Sequence, residues 1–391
     1  MFRLPALSRP STVSSFARGA LAGVALAGAV LTTMPSAEAR PGSHLPPGAG
    51  PCPPDASALA FSDGLDKAVV DGVTVGGLSD IAWDARRHAF ASTVDNHLTD
   101  PSRIWFWRDP DHAHVVGAPV VLKAPDGTPY TGATADNEGL AVLPHGRFLV
   151  SSETEPSIRI FGRDGVQRAQ LAVPDRFRVA PAGEATANAT LEGLTITPDG
   201  RRVVAAMEGT LSGDVGAAST GGTATYRRFL VYDRSHSGWR LTRQVAYQVE
   251  PGNRIAEVQT YGHDGLLVLE AAFDPATGNS VQLYAVHTRH ARDVSRVPDL
   301  ATAPSRDVMT KSLVADVTAC PSLGATAKET QTNPLMDNFE GMSVVPVRGG
   351  HPGRHGRHQW AKELAHVLLI SDDNFSATQT TRVLDLAALL P

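Results

Sequence analysis

One pattern, met five times, restricts this chain more than any other feature. An acidic or small polar residue precedes a short apolar run, a turn follows, and a second apolar run returns to end in an acid. Residues 137–153, NEGLAVLPHGRFLVSSE, show the unit in full: Glu138 opens the first run, the turn falls at Pro144 to Gly146, and Glu153 closes the second. The others are GLSDIAWDARRHAFASTVD (77–95), LEGLTITPDGRRVVAAME (191–208), IAEVQTYGHDGLLVLE (255–270) and FEGMSVVP (339–346), the last completed after an insertion by HVLLISDD (366–373). Runs of four to seven Val, Leu and Ile residues between Gly, Pro, Asp and Asn read as strands, and an apolar–turn–apolar order reads as a hairpin.

A third strand follows in several units: SIRIF from Ser157, RFLVYD from Arg228, VQLYAV from Val281 and TRVLDL from Thr381. From Ser79 through Glu138, Glu192 and Ala256 to Glu340 the spacings are 59, 54, 64 and 84 residues. That is longer than the ~40–50 residues of compact propeller repeats, which leaves room for loops. Long helical periodicity is scarce. The expected fold class is therefore all-β, a β-propeller with five visible repeats and an expected six blades. The extra blade would lie in the 84-residue interval, or arise where ALAFSDG (58–64) pairs near the C-terminal TRVLDL. A two-sheet sandwich is the alternative, and the recurring unit counts against it.

The first 39 residues read as an export signal. Arg3, Arg9 and Arg18 precede a short apolar stretch at 19–31, and Ala37-Glu38-Ala39 fits a small-x-small cleavage site. The stretch is shorter than the ~20 residues a spanning helix needs. Residues 40–57, rich in Pro and Gly, read as an extended leader, and residues 58–391 as one propeller domain. Cleavage would shift the formal charge from -5 to -7. An acidic chain without clustered Lys and Arg is a poor ligand for nucleic acid. Export places the protein outside the cytoplasm, as a monomer with no remaining membrane span. There Cys52 and Cys320, its two cysteines, are expected to pair.

In a propeller the first strand of each blade lines the channel and the second returns beside it. Its start and its partner's end therefore share one rim. This pairs Glu138 with Glu153, Glu192 with Glu208, Glu257 with Glu270, Asp80 with Asp95, and Glu340 with Asp372 and Asp373. Crowded carboxylates repel one another, and a bound cation relieves them. Oxygen-only donors suit a hard ion, and Ca²⁺ accepts 6 to 8 oxygens in irregular geometry. The expected metal residues are Asp80, Asp95, Glu138, Glu153, Glu192, Glu208 and Glu340. The competing reading has each acid accepting backbone N–H bonds at strand ends. Glycine after Glu138, Glu192 and Glu340 lets the backbone crowd the axis.

The segments NEGLAV, LEGLTITPDGR and GLLVLE, and above all NFEGMSVV with LLISDDNFSATQTT (368–381), make the chain similar to the phytase-like family of secreted bacterial proteins described by esterase-like activity. The resemblance covers about 77–386. It implies a propeller with hydrolytic activity on esters or phosphoesters. Ser79-Asp80 and Ala256-Glu257 depart from the Glu-Gly pair.

The function expected is a calcium-dependent hydrolase acting on a small ester or phosphoester at the channel mouth. Glu257, Glu270, Asp372 and Asp373 are the catalytic candidates, because their units break or extend the plain pattern. Arg227, Arg228 and Arg254 are candidates for a substrate phosphate. Neither a G-x-S-x-G elbow nor an HExxH zinc motif occurs. Alternatives are a non-enzymatic calcium-stabilised binding propeller at the cell surface, and a lactonase or sugar-oxidising propeller. The His- and Arg-rich insertion at 348–363 reads as a solvated loop or, alternatively, a phosphate- or metal-binding one.

Overall fold

The second strands of the sheets are buried on both faces over most of their length, and that decides how the sheets pack. In Arg202–Met207, Val203 and Ala205 enter one apolar cluster while Val204 and Ala206 enter the next. In Arg103–Arg108, Trp105 and Trp107 face one way, and Ile104 and Phe106 the other. Successive side chains of a strand point to opposite faces, so a strand that is apolar on both must lie between two other sheets. Sheets stacked face to face around an axis satisfy this for every member.

The structure, a computed structural model, describes residues 50–95, 99–215, 225–262, 264–289, 291–346 and 362–391. The expected signal segment, and nearly all of the insertion at 348–363, lie outside these residues.

Five antiparallel sheets form five blades among the described residues. Blade 1 comprises Ala82–Asp84, Ala89–Thr93, Arg103–Arg108 and His114–Val115, with Val120–Val121 also pairing to the third strand. Blade 2 is Asn137–Leu143, Arg147–Ser152, Ser157–Phe161 and Gln167–Leu171. Blade 3 is Leu191–Ile196, Arg202–Met207, Tyr226–Ser235 and Gly238–Gln248. Blade 4 is Arg254–Tyr261, Gly265–Asp274, Gly278–His287 and Lys311–Asp316. Blade 5 is Phe339–Pro346, Glu363–Ser371 and Val383–Leu390, extended by Ala56–Ser62 and Gly50–Cys52. Inner strands touch in the cyclic order 1-2-3-4-5-1, and an apolar cluster fills each of the five interfaces.

The blade number therefore differs from the expected six. The 84-residue interval holds the rest of blade 4 and a run of short 3₁₀ turns from Leu300 to Ala319, not another sheet. The N-terminal strand adds to blade 5, with Ala58 opposite Leu386 and Phe61 opposite Leu384. Residues 50–57 of the expected leader also join this blade. Arg382 locks the closure, donating to Asp63 at 2.7 and 2.8 Å and to the carbonyls of Pro334, Leu335 and Thr326. The disulfide Cys52–Cys320 ties the edge of blade 5 to the segment leaving blade 4. No helix of the described residues is long and apolar enough to cross a membrane.

Candidate functional site

Every inner strand begins with the same irregularity. In blade 2, Asn137 faces Ser152 and Leu140 faces Val150, so one strand carries an extra residue. The same shift occurs between Leu191 and Leu194, between Ile255 and Glu257, and between Phe339 and Gly341. In blade 1, Leu78 bridges Val94 and Ala82 faces Ala91, which again leaves one residue over. Such a bulge re-aims a side chain and interrupts the ladder. It falls on the Glu-Gly step in blades 2, 3 and 5 and on Ser79-Asp80 and Ala256-Glu257 in blades 1 and 4.

Two layers of acids result. In the outer layer, carboxylate oxygens of Glu138, Glu153 and Glu192 lie within 4.8 Å of one another, and so do those of Asp95, Asp136 and Glu138. Glu138 is common to both groups and accepts a bond from Ser79 Oγ at 2.6 Å. Glu153 accepts from the Thr190 N–H. On the far side, Arg254 donates to Glu192 at 3.1 Å, Glu208 at 3.2 Å, Glu340 at 2.6 Å and the Asn338 side-chain oxygen at 3.0 Å. Asp372 completes the layer. Its Oδ1 accepts from the Asn374 N–H at 2.6 Å, while its buried Oδ2 meets no donor among the described residues.

The inner layer is the pair of residues that depart from Glu-Gly. Asp80 accepts from the N–H groups of Ile81 and Leu140 at 2.6 Å each, and from Met342 at 3.4 Å. Glu257 accepts from Val258 at 2.6 Å and Leu194 at 2.9 Å. Thus the residue after each glycine gives its N–H to an acid of a neighbouring blade. The glycines make this possible. A Cβ on Gly139 would lie 2.4 Å from Leu194 Cβ, and one on Gly341 would lie 2.5 Å from Asp80 Cα.

Burial and mutual repulsion raise the proton affinity of these acids. Glu138 is held well above the ordinary carboxylate range, first by burial and then by Asp95, Glu192, Glu153 and Glu340. Glu192 is raised by burial and by Glu208, Glu153 and Glu340, with Arg254 opposing. Burial pushes Glu153 up to about 7 against the Thr190 N–H bond. Asp372 is raised by burial, Asp95 and Glu340. Glu208 and Glu340 are raised by burial, and Arg254 partly offsets it. Burial works against the charge on Arg254, but Glu340, Glu192 and Glu208 outweigh it and keep the guanidinium protonated.

Of the expected site residues, the structure gathers Asp95, Glu153 and Glu192 around Glu138 and gathers Glu192, Glu208 and Glu340 around Arg254, with Asp372 near Asp95 and Glu340. Asp80 and Glu257 lie in the inner layer, bound to backbone. Glu270 sits elsewhere on blade 4, accepting from Tyr247 OH at 2.6 Å, Lys311 at 2.6 Å, the Glu250 N–H and Asn253. Asp373 is occupied by Lys67 and the N–H groups of Gly77 and Phe375. Arg227 donates to the Glu208 and Asn253 carbonyls and to Thr210. Arg228 forms a buried two-bond pair with Asp214 at 2.6 and 2.7 Å, away from the acids.

Sequence reasoning passed over Asp136, Ser79 and Asn338. A signal was present: Asp-Asn stands shortly before Glu-Gly in both blade 2 (136–139) and blade 5 (337–341).

Residues 73–375 match the family described as "Phytase-like: Esterase-like activity of phytase". The chain belongs to this phytase-like family. Solved structures are similar to the chain at low identity. A periplasmic gluconolactonase of Pseudomonas aeruginosa is 12% identical over 82% of this chain and 88% of its own, with a TM-score of 0.34. An aldose sugar dehydrogenase of Streptomyces coelicolor in its PQQ-bound form is 10% identical over 87% and 100%, with a TM-score of 0.38. A thermostable family-43 glycoside hydrolase is 10% identical over 82% and 92%, with a TM-score of 0.42. No curated protein matches the phytase-like chain.

Proposed function

We propose that this phytase-like propeller is an exported calcium-dependent hydrolase of a small ester or phosphoester, working where its acids converge. The observation that carries the reading is the crowding of carboxylate oxygens within 4.8 Å around Glu138, with a buried Asp372 oxygen, in a side chain near Asp95 and Glu340, that meets no donor among the described residues. An unsatisfied buried carboxylate oxygen is costly, and a hard cation is the partner that suits such a set. Both groups consist wholly of carboxylate oxygens, with no imidazole or thiolate, so the donor chemistry fits calcium better than zinc or copper. The disulfide supports an oxidising compartment.

Asp95, Asp136, Glu138, Glu153 and Glu192 are the residues that would hold calcium. When bound, the ion supplies charge neutralisation and Lewis-acid polarisation of a substrate oxygen. The chain's own groups set the rest. Ser79 and the Thr190 N–H fix Glu138 and Glu153 in place. Asp372 Oδ2 is the group available to hold or accept a proton at the mouth. Asp80 and Glu257 keep the inner strands closed beneath.

The second reading is a calcium-stabilised binding propeller. It is favoured by Arg227, Arg228 and Arg254, each already engaged by carbonyls or carboxylates, which leaves the three expected phosphate ligands committed to the fold. Replacing Glu138 by Gln separates the two readings. The hydrolase reading expects lost turnover in a folded protein, whereas the binding reading expects only weaker calcium affinity and a lower melting temperature in calcium.

A further inference from the structure

The acids of the mouth fall into two unequal halves. Around Glu138 the atoms within reach of one another are carboxylate oxygens, those of Asp95 and Asp136 on one side and of Glu153 and Glu192 on the other. Around Arg254 three carboxylates from two blades, Glu192 and Glu208 of blade 3 and Glu340 of blade 5, converge on one guanidinium at 2.6–3.2 Å. Asn338 closes this half, accepting from Arg254 at 3.0 Å and donating to Glu340 at 3.1 Å. Arg254 comes from blade 4, at the start of the inner strand and two residues before the Ala256 that replaces the expected glutamate. The blade lacking an outer acid is thus the blade that supplies the positive charge.

We infer that Arg254 stands in the place of a metal ion: it is a built-in cation that closes the Glu192–Glu208–Glu340 half to calcium and confines metal binding to the half around Glu138. Three carboxylates of the chain and one side-chain amide form the sort of oxygen set a hard cation takes. A guanidinium satisfies them from within, at fixed geometry and without dissociating. Its commitment to three acids also makes it a positioning residue, one that holds Glu192 at the border of the metal-binding half.

This inference rests on the calcium reading above, and its test keeps the two apart. Calcium is titrated calorimetrically into the full exported chain, first stripped with chelator, and into Arg254→Gln and Arg254→Lys. Melting temperatures are taken with chelator and with excess calcium. The inference expects Arg254→Gln to bind one more ion per chain than the parent, and Arg254→Lys to bind the parental number. It also expects Arg254→Gln to lose melting temperature in chelator and to regain it selectively in calcium, because the ion replaces the missing charge. Equal stoichiometry in the parent and Arg254→Gln, or a melting temperature that calcium does not restore, would overturn it while leaving the calcium reading intact. A parent that binds no ion beside an Arg254→Gln chain that binds one would overturn the calcium reading, and with it the confinement of metal to the Glu138 half, and would keep Arg254 as the cation that stands in for an ion. No ion on either protein overturns both.

Discussion

Asp80 of blade 1 stands close enough to Glu257 of blade 4 to raise its proton affinity further above what burial does, and together the two acids hold backbone N–H groups of blades 2, 3 and 5. The propeller is thus pinned near its axis by two acids occupying the positions where the other blades carry glycine. One proton must be held between them, since two buried carboxylates in contact cannot both be charged.

Removing Glu257 leaves the Leu194 N–H unsatisfied and Asp80 without its partner. Glu257→Ala is expected to lower stability by about 2–4 kcal/mol. Glu257→Gln keeps an acceptor and a donor and should cost about 1 kcal/mol. Denaturant unfolding of both variants checks the order. Equal losses would mean that the carboxyl group itself, and not an acceptor of its shape, is what the site requires.

Gly139→Ala would force a methyl into Leu194 and the Glu192 carbonyl, 2.4 and 2.7 Å from its Cβ. The backbone of the inner strands cannot yield without moving the Glu138 bulge. A loss of about 1–3 kcal/mol is expected, together with weaker calcium binding, both measurable on one purified variant.

Stability should depend on pH in a direction set by the raised acids. Burial takes Asp80 from 3.8 up to about 8, and Glu153 from 4.5 up to about 7. Between those limits the folded chain holds protons that the unfolded chain has released, so stability falls as pH rises. In chelator, the melting temperature is expected to drop between about pH 4 and pH 8. Calcium should flatten the part contributed by Glu153 and leave that of Asp80. A chelated protein that gains stability over this range would contradict the placement of these groups.

Reduction of Cys52–Cys320 frees the edge strand of blade 5 from the segment leaving blade 4, a tie across a sequence separation of 268 residues. A loss of about 2–5 kcal/mol is expected for the Cys52→Ser and Cys320→Ser pair. The Arg382–Asp63 pair should keep the closure partly in place, so unfolding is expected to remain cooperative.

The all-β repeat was legible because both signals are local. Apolar runs and turn residues mark each hairpin, and acids at the open ends survive as single letters beside glycine. The cluster around Glu138 follows from topology alone, as the start of one strand and the end of its partner share a rim. Blade number did not follow, because a blade is defined by pairing between distant segments: Ala58 meets Leu386 through closure of the whole ring. Nor did the roles of the arginines. Arg228 and Arg254 look alike in sequence, but one is buried on Asp214 and the other holds three acids of two blades. The fate of Glu270 was hidden for the same reason, since Lys311 and Tyr247 reach it from separate strands.

The most direct test of the central claim is turnover of p-nitrophenyl acetate, p-nitrophenyl phosphate and inositol hexakisphosphate by the purified chain, in calcium and in chelator, beside Glu138→Gln. The account predicts hydrolysis of at least one ester in calcium, lost in chelator and lost in the folded variant. Hydrolysis indifferent to chelator and to Glu138→Gln, or no hydrolysis by a protein that binds calcium, would contradict it.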